Sequence, residues 1–107
     1  MFISYLSYDY EPYLKVASDK ELEIVQTNAY PPSKELIFTR SDDDYEPFSY
    51  RAYFDFNDSF SFRHKVFIKE TTELIATVVF NKQGSDVHLN VKVESGSSGI
   101  KSGQFIL

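Results

Sequence analysis

The sequence has no cysteine and no tryptophan, and it has only four glycines and four prolines among its 107 residues. The lack of cysteine excludes thiolate metal sites, cysteine nucleophiles and disulfides, and it fits a reducing compartment. No apolar run approaches the length of a membrane span, and the first residues lack the basic region and apolar stretch of a signal peptide. We therefore expect a cytoplasmic protein that does not contact membranes.

Two kinds of side chain are abundant instead, aromatic rings and carboxylates. The chain has 8 Tyr, 10 Phe and 16 Asp or Glu against 11 Lys or Arg, which gives a net charge of −5. The acids are concentrated in residues 1–62, whereas residues 63–107 carry a small excess of bases. An acidic region repels phosphate backbones and attracts basic proteins. The charge pattern therefore predicts a basic partner and no direct contact with nucleic acid.

Apolar and polar residues alternate in the second half of the chain, as they do in strands with one buried face. The alternation covers residues 48–56, 60–69, 73–81 and 86–94. The gaps are short and carry turn residues, including Gly84, which can adopt a positive φ. This spacing predicts an antiparallel meander of these segments. The predicted core consists of Phe48, Tyr50, Phe54, Phe60, Phe62, Val66, Ile68, Leu74, Ala76, Val78, Phe80, Val87, Leu89, Val91 and Val93.

The first half of the chain is less regular. Residues 2–8 and 13–17 have the composition of strands, and residues 35–39 fit a short strand or one helical turn. Residues 21–27 follow a capping box, which favours a helix, but their β-branched side chains favour a strand. We predict an all-β domain of about seven to nine antiparallel strands, either a sandwich or a half-open barrel, with one short helix as an open alternative.

The C-terminal segment differs in composition from the rest. Residues 1–95 fit a single β domain, and residues 96–107 begin with a glycine- and serine-rich link. The last four residues, Gln104 to Leu107, are too apolar to remain in water. We expect them to add an edge strand, and docking on a partner is the alternative.

No constellation of catalytic residues is present. His64 and His88 are the only histidines, and their strand phases place them on opposite faces, so we expect a satisfied core His64 and a surface His88. A Gly-x-Ser-x-Gly motif and a glycine-rich phosphate loop are both absent from the sequence. We expect neither enzymatic activity nor a cofactor.

Two charged clusters have alternative interpretations. Asp42–Asp44 and Glu46, with Asp55 and Asp58, lack the glycine and glutamate spacing of a Ca²⁺ loop, so we expect no metal there. Arg63, Lys65 and Lys69 form a basic stripe with Phe67 between them. Such a stripe can bind single-stranded nucleic acid. We expect an ordinary face that is either solvated or paired across strands, with carboxylates of neighbouring strands as the partners.

Tyrosines beside carboxylates are the strongest candidates for a binding surface, because rigid rings supply contact area and carboxylates steer a cationic partner. The alternative is that the tyrosines only cap a small core. The predicted partner-binding residues are Asp42, Asp43, Asp44, Tyr45, Glu46, Tyr53, Asp55, Asp58, Tyr10 and Glu11.

The acidic, tyrosine-containing run 42–48, with Asp55 and Asp58, resembles in style the small acidic bacterial immunity proteins that neutralise nuclease toxins, including those of contact-dependent growth inhibition. The resemblance implies a non-enzymatic protein that binds an RNase or DNase toxin domain tightly and one to one. Phage-encoded inhibitors of host proteins share these traits. A ligand-binding β-sandwich, either a carbohydrate binder or a Ca²⁺-dependent C2-like module, is the other alternative.

Overall fold

The computed structural model describes residues 1–6, 12–41 and 46–94 in full. It describes only the backbone of Ser7 and of residues 101–106. No helix occurs among these residues, and therefore none that could cross a membrane. The described residues form nine strands: β1 (Phe2–Ser7), β2 (Tyr13–Ser18), β3 (Leu22–Tyr30), β4 (Thr39–Arg40), β5 (Phe48–Tyr53), β6 (Phe60–Ile68), β7 (Leu74–Gln83), β8 (Asp86–Val93) and β9 (Lys101–Ile106).

The strands form two sheets that pack face to face. One sheet has the order β4-β5-β2-β1-β9 and the other the order β3-β6-β7-β8. Neighbouring strands are antiparallel except β1 and β9, which are parallel. The all-β prediction is confirmed, and of the two predicted architectures the structure shows the sandwich. The short helix that the capping box allowed is instead the strand β3.

The core lies between the two sheets. Ile3, Leu14 and Val16 of the first sheet and Val66 and Phe80 of the second are fully buried. Most predicted core residues are buried or partly buried there. Two predictions were wrong. Val93 is 46% exposed because β8 is an edge strand. The register shifts between Val66 and Phe67, so Ile75 is buried in place of Leu74.

The predicted meander is only partly correct. Strands β6, β7 and β8 are consecutive neighbours, but β5 belongs to the other sheet, where it pairs with β2 and β4. β5 ends at Tyr53, and residues 54–59 cross from one sheet to the other. The ring of Phe54 lies 5.8 Å from that of Tyr5 and 5.3 Å from that of Phe80. The apolar residue after β5 therefore enters the core, and β3 takes the place beside β6.

Contacts between the sheets and at the sheet ends fix the remaining elements. The buried Tyr50 hydroxyl accepts a hydrogen bond of 2.9 Å from the Leu22 backbone N–H, which joins β5 to β3. β9 lies beside β1 at the edge of the five-stranded sheet, and its backbone pairing begins at Lys101, earlier than the apolar tail. Gly84 has the predicted positive φ, at 58°, in the β7–β8 turn.

Candidate functional site

Four of the ten predicted partner-binding residues are described, namely Glu46, Tyr53, Asp55 and Asp58. Those that lie outside the described residues are Tyr10, Glu11, Asp42, Asp43, Asp44 and Tyr45. Tyr53, Asp55 and Asp58 lie together and line a cleft of about 350 Å³. Glu46 precedes β5 and pairs with Lys15 at 3.3 Å, so the length of β5, about 17 Å, separates it from Tyr53.

Three connections meet at the end of the sandwich that carries this cleft. They are residues 31–38, residues 54–59 and the β7–β8 turn, and we call them together the acidic end. The Lys34 ammonium pairs with the Asp58 carboxylate at 2.9 Å, and the Gly84 N–H donates to the Ser59 hydroxyl at 3.2 Å. These contacts join all three connections into one surface.

Lys82 anchors the acidic end from inside. The residue is 3% exposed and occupies the last inward position of β7, two residues after Phe80. Its ammonium donates to the backbone carbonyls of Phe56, Asp58 and Gly84 at 2.5, 2.6 and 2.9 Å. A buried ammonium must find such partners because desolvation without them costs several kcal/mol. The sequence pattern assigned Lys82 to the turn between the segments 73–81 and 86–94. Lys82 follows Phe80 by two residues, and this strand spacing was the signal that its side chain points inward.

Local hydrogen bonds further define the loop at residues 54–59. The Asp55 carboxylate accepts from the Asn57 N–H at 2.8 Å, and the Asp55 carbonyl accepts from the Asp58 N–H at 3.1 Å. An aspartate that bonds the backbone two residues ahead stabilises a turn. The loop is therefore held both by its own turn and by Lys82, and it presents Phe56 with half of its surface exposed.

Tyr53 is the second exposed ring of this surface, at 52%. Its ring centroid lies 5.2 Å from that of Tyr13 on the neighbouring strand, and its hydroxyl accepts from the Arg51 guanidinium at 3.2 Å. The same guanidinium lies over the Tyr13 ring at 4.7 Å. The Tyr53 side chain is therefore oriented by two neighbours while half of it faces solvent.

Negative charge dominates the acidic end. Its described carboxylates, together with that of Asp86 beside the turn, outnumber its cations by one. The carboxylates are those of Glu35, Asp55, Asp58 and Asp86, and the cations are Lys34, Lys82 and Arg51, whose guanidinium contacts Tyr53. Ile37, which is 65% exposed, adds apolar surface beside Glu35. The surface therefore combines exposed rings, an aliphatic side chain and unbalanced negative charge.

His64 ties residues 31–38 to the core. The residue is 1% exposed, and its Nε2 lies 2.9 Å from the Leu36 carbonyl, whereas its Nδ1 has no partner among the described residues. Burial lowers the pKa of His64 below its ordinary 6.5, and the bond to the Leu36 carbonyl opposes this shift. The neutral ring donates from Nε2. The predicted burial is confirmed, and among the described residues the prediction of a satisfied ring holds at Nε2 only.

The histidines and the acids are the remaining side chains that could carry chemistry. His88 is exposed on the outer side of β8, so the two histidines occupy opposite faces of one sheet. In the described part of the chain, no group of three or more His, Cys, Asp or Glu side chains is arranged to hold a metal ion.

The fold and the acidic end define a two-sheet β-sandwich that presents an acidic, ring-bearing surface at one end. No family model, no curated protein and no solved structure matches the chain. Inference about function therefore depends on the geometry and charge of the described residues.

Proposed function

We propose that the protein is a non-enzymatic inhibitor that binds a basic protein through the acidic end. The observation that carries this proposal is the pair of exposed rings, Tyr53 and Phe56, on a segment fixed by Lys82 and surrounded by carboxylates. Nucleases carry cationic grooves that such a surface fits. The proposed partner is an RNase or DNase toxin domain, and the proposed role is that of its cytoplasmic immunity protein.

The rings supply the affinity in this proposal. Exposed aromatic side chains near the centre of an interface frequently account for most of the binding energy. Binding is stronger when the contact residues are already ordered, because less conformational entropy is lost. Lys82 and the Asp55 turn order Phe56, and Tyr13 and Arg51 order Tyr53.

The carboxylates supply steering and register. Asp58 is paired with Lys34, but Glu35, Asp55 and Asp86 have no cation within 4 Å among the described residues. Unpaired carboxylates around an apolar centre attract a cationic partner over distances of about a Debye length. The acidic end therefore has the anatomy of an interface with an apolar centre and a charged rim.

The decisive experiment compares matched baits. The protein is used to capture partners from the native organism at low and high salt, and the captured protein is purified and assayed as a nuclease. The test bait carries Glu35→Lys and Asp86→Lys, because neither carboxylate has a hydrogen-bond or ion-pair partner among the described residues. The control bait carries Glu70→Lys and Glu73→Lys in the β6–β7 turn at the opposite end, with the same change in net charge.

We expect recovery of one basic nuclease, one-to-one inhibition and weaker capture at high salt. The test bait should associate about tenfold more slowly at low salt, and the control bait should match the wild type. Equal losses in both baits would exclude the acidic end as the interface. A captured protein whose nuclease activity is unaffected would exclude the inhibitor function.

Ring truncations test the apolar centre separately. Tyr53→Ala and Phe56→Ala should each cost about 2 kcal/mol of binding, or roughly 30-fold in Kd, mainly through faster dissociation. Val93→Ala is the matched control, because Val93 is exposed on β8 away from the acidic end. If Val93→Ala weakened binding as much as the two ring truncations, the loss of affinity would not be specific to the acidic end.

The acids Asp42, Asp43 and Asp44 remain a prediction. Reversing all three charges should slow association and flatten its salt dependence, with little change in folding stability. Comparison of its association rate with that of the Glu35→Lys and Asp86→Lys bait shows how much each of the two acidic regions contributes to steering. Unchanged association kinetics would remove these three acids from the interface.

A further inference from the structure

The outer face of the four-stranded sheet carries a groove that is separate from the cleft of the acidic end. Its cations are Arg63 and Lys65 on β6 and Lys92 on β8, and we call it the cationic face. These side chains line a cavity of about 650 Å³ across β6, β7 and β8.

These cations lack the ion-pair partners that one of the two predicted alternatives gave them. Lys69, at the end of the stripe, does pair with Glu21 at 3.1 Å. Arg63 and Lys65 do not pair with a carboxylate of the described residues, because their cross-strand neighbours on β7 are Val79 and Thr77. Of the two predicted alternatives, these two positions are therefore solvated and not paired across strands.

Lys92 is likewise unpaired within the described chain. It lies opposite Thr77 on β7, so Lys65, Thr77 and Lys92 form one row across three strands. Among the described residues, Glu94 is the one carboxylate that lines the cavity, and it accepts a hydrogen bond of 3.2 Å from the Thr77 hydroxyl. The described lining of this groove therefore has an excess of positive charge, although the total charge of the chain is −5.

Amides and a ring extend this surface. Tyr30, Ser61, Asn81 and His88 form a row in register across all four strands. Tyr30 is 73% exposed and, with Asn81 and His88, lines an adjoining cavity of about 580 Å³ that reaches the acidic end at Ser59 and Asp86. A planar ring at one end and the side-chain amides of Asn81 and Asn90 match the faces and edges of nucleotide bases.

We propose that the cationic face binds single-stranded nucleic acid, with phosphates at Arg63, Lys65 and Lys92 and a base stacked on Tyr30. Charge complementarity selects an anionic chain, and the ring and the amides favour bases over an acidic peptide. The nucleic acid must be single-stranded, because stacking on Tyr30 needs the exposed face of a base. A duplex hides the faces of its bases. This proposal does not depend on the inhibitor function, since it rests on different side chains.

The test uses fluorescence anisotropy of labelled 12-nucleotide RNA and DNA of mixed sequence. Three phosphate contacts give a slope of log K against log[salt] of about −2, so affinity should fall by roughly 20-fold between 50 and 200 mM KCl. Lys65→Met and Lys92→Met should each weaken binding about fivefold at 100 mM KCl and make the slope shallower by about 0.7. Lys69→Met removes the same charge outside the groove and should leave binding unchanged.

Tyr30→Ser should weaken binding at least about fivefold without changing the salt slope, because it removes stacking and no charge. Equal binding of RNA and DNA supports contacts to phosphates and bases alone, and preference for RNA adds a contact to the 2′-hydroxyl. Three results overturn the proposal: no binding of either strand at 50 mM KCl, a loss in Lys69→Met equal to that in Lys65→Met, or competition by polyglutamate as effective as that by unlabelled oligonucleotide. Thermal melting of each variant confirms that it is folded.

Discussion

The acidic end and the cationic face use lysine in opposite ways. At the acidic end, Lys82 is 3% exposed and all three of its hydrogen bonds go to backbone carbonyls of the protein itself. On the cationic face, Lys65 and Lys92 are exposed and have no carboxylate partner among the described residues. A charge whose partners are internal fixes the shape of a surface, whereas an exposed charge without partners is available to a ligand.

The same contrast separates the two surfaces as a whole. The rings and acids of the acidic end are presented by connections that need internal support, and Lys82, Asp55 and Lys34 provide it. The cationic face is presented by strands whose backbone is already fixed by the sheet ladder. Substitutions that remove charge should therefore affect stability at the first surface and ligand binding at the second.

The largest effect is expected for Lys82→Met. The substitution keeps most of the buried volume but leaves the carbonyls of Phe56, Asp58 and Gly84 without their donor. We expect a loss of about 2–4 kcal/mol in the free energy of unfolding, because hydrogen bonds from a charged donor are among the stronger ones and three of them are lost together. Urea denaturation measures the loss.

Lys69→Met is the matched control, since Lys69 forms only an exposed pair with Glu21, and such pairs contribute little. The Lys82→Met variant should also bind its partner more weakly, because the loop that carries Phe56 is no longer held. A stability equal to that of the wild type would mean that the carbonyls do not depend on the ammonium. The distinction between the two kinds of lysine would then fail.

The sequence predicted much of the fold because period-2 alternation follows from one-sided burial. It identified β6, β7 and β8 and their turns, including the positive φ of Gly84. It did not predict that β5 pairs with β2, because alternation reports which side chains are buried and not which strand is the neighbour. The short spacing before β6 suggested a hairpin, yet the chain crosses to the other sheet there, and the partly buried ring of Phe54 packs against Phe80.

The candidate surfaces were predicted only in part. Tyr53, Asp55 and Asp58 were identified because rings and acids adjoin in sequence, but Glu35 comes from a distant connection that only the fold brings near. The stripe on β6 was recognised, whereas Lys92 and Tyr30 join it through cross-strand register. Register between strands is a tertiary property, so the sequence pattern alone does not give the ligand surface.

The second largest effect concerns the two histidines, which lie on opposite faces of the four-stranded sheet. Because burial lowers the pKa of His64, the unfolded chain binds more protons than the folded chain below pH 6.5. Stability contributed by the neutral ring is therefore present above pH 6.5 and is lost as the pH falls below it. The slope from this one group is at most about 1.4 kcal/mol per pH unit.

Urea denaturation between pH 5 and 8 measures this slope. His64→Gln should flatten the profile, since an amide can still donate to the Leu36 carbonyl but does not titrate. His88→Gln, on the exposed side, should leave the profile as in the wild type. Identical profiles for the wild type and His64→Gln would show that another group causes the pH dependence.

A smaller effect is expected at the turn that Lys82 contacts. Gly84 has φ at 58°, and a Cβ built there meets nothing within 4 Å. Gly84→Ala should therefore cost about 1 kcal/mol through backbone strain alone, because an L residue in this region is disfavoured without any steric clash. Ser85→Ala in the same turn is the control. A loss of 3 kcal/mol or more would indicate that the carbonyl of Gly84 has moved away from Lys82.

The smallest effect is expected on the cationic face, where Lys65→Gln and Lys92→Gln together should change the free energy of unfolding by less than about 0.5 kcal/mol. Neither ammonium has a carboxylate partner among the described residues, so no internal contact is lost. A small gain is expected at low salt, because removing two like charges from one face relieves their repulsion. Urea denaturation at 20 and 300 mM KCl measures the change in the free energy of unfolding and its dependence on salt. A loss comparable to that of Lys82→Met would mean that these lysines hold the sheet together, and their exposure would then carry no implication for a ligand.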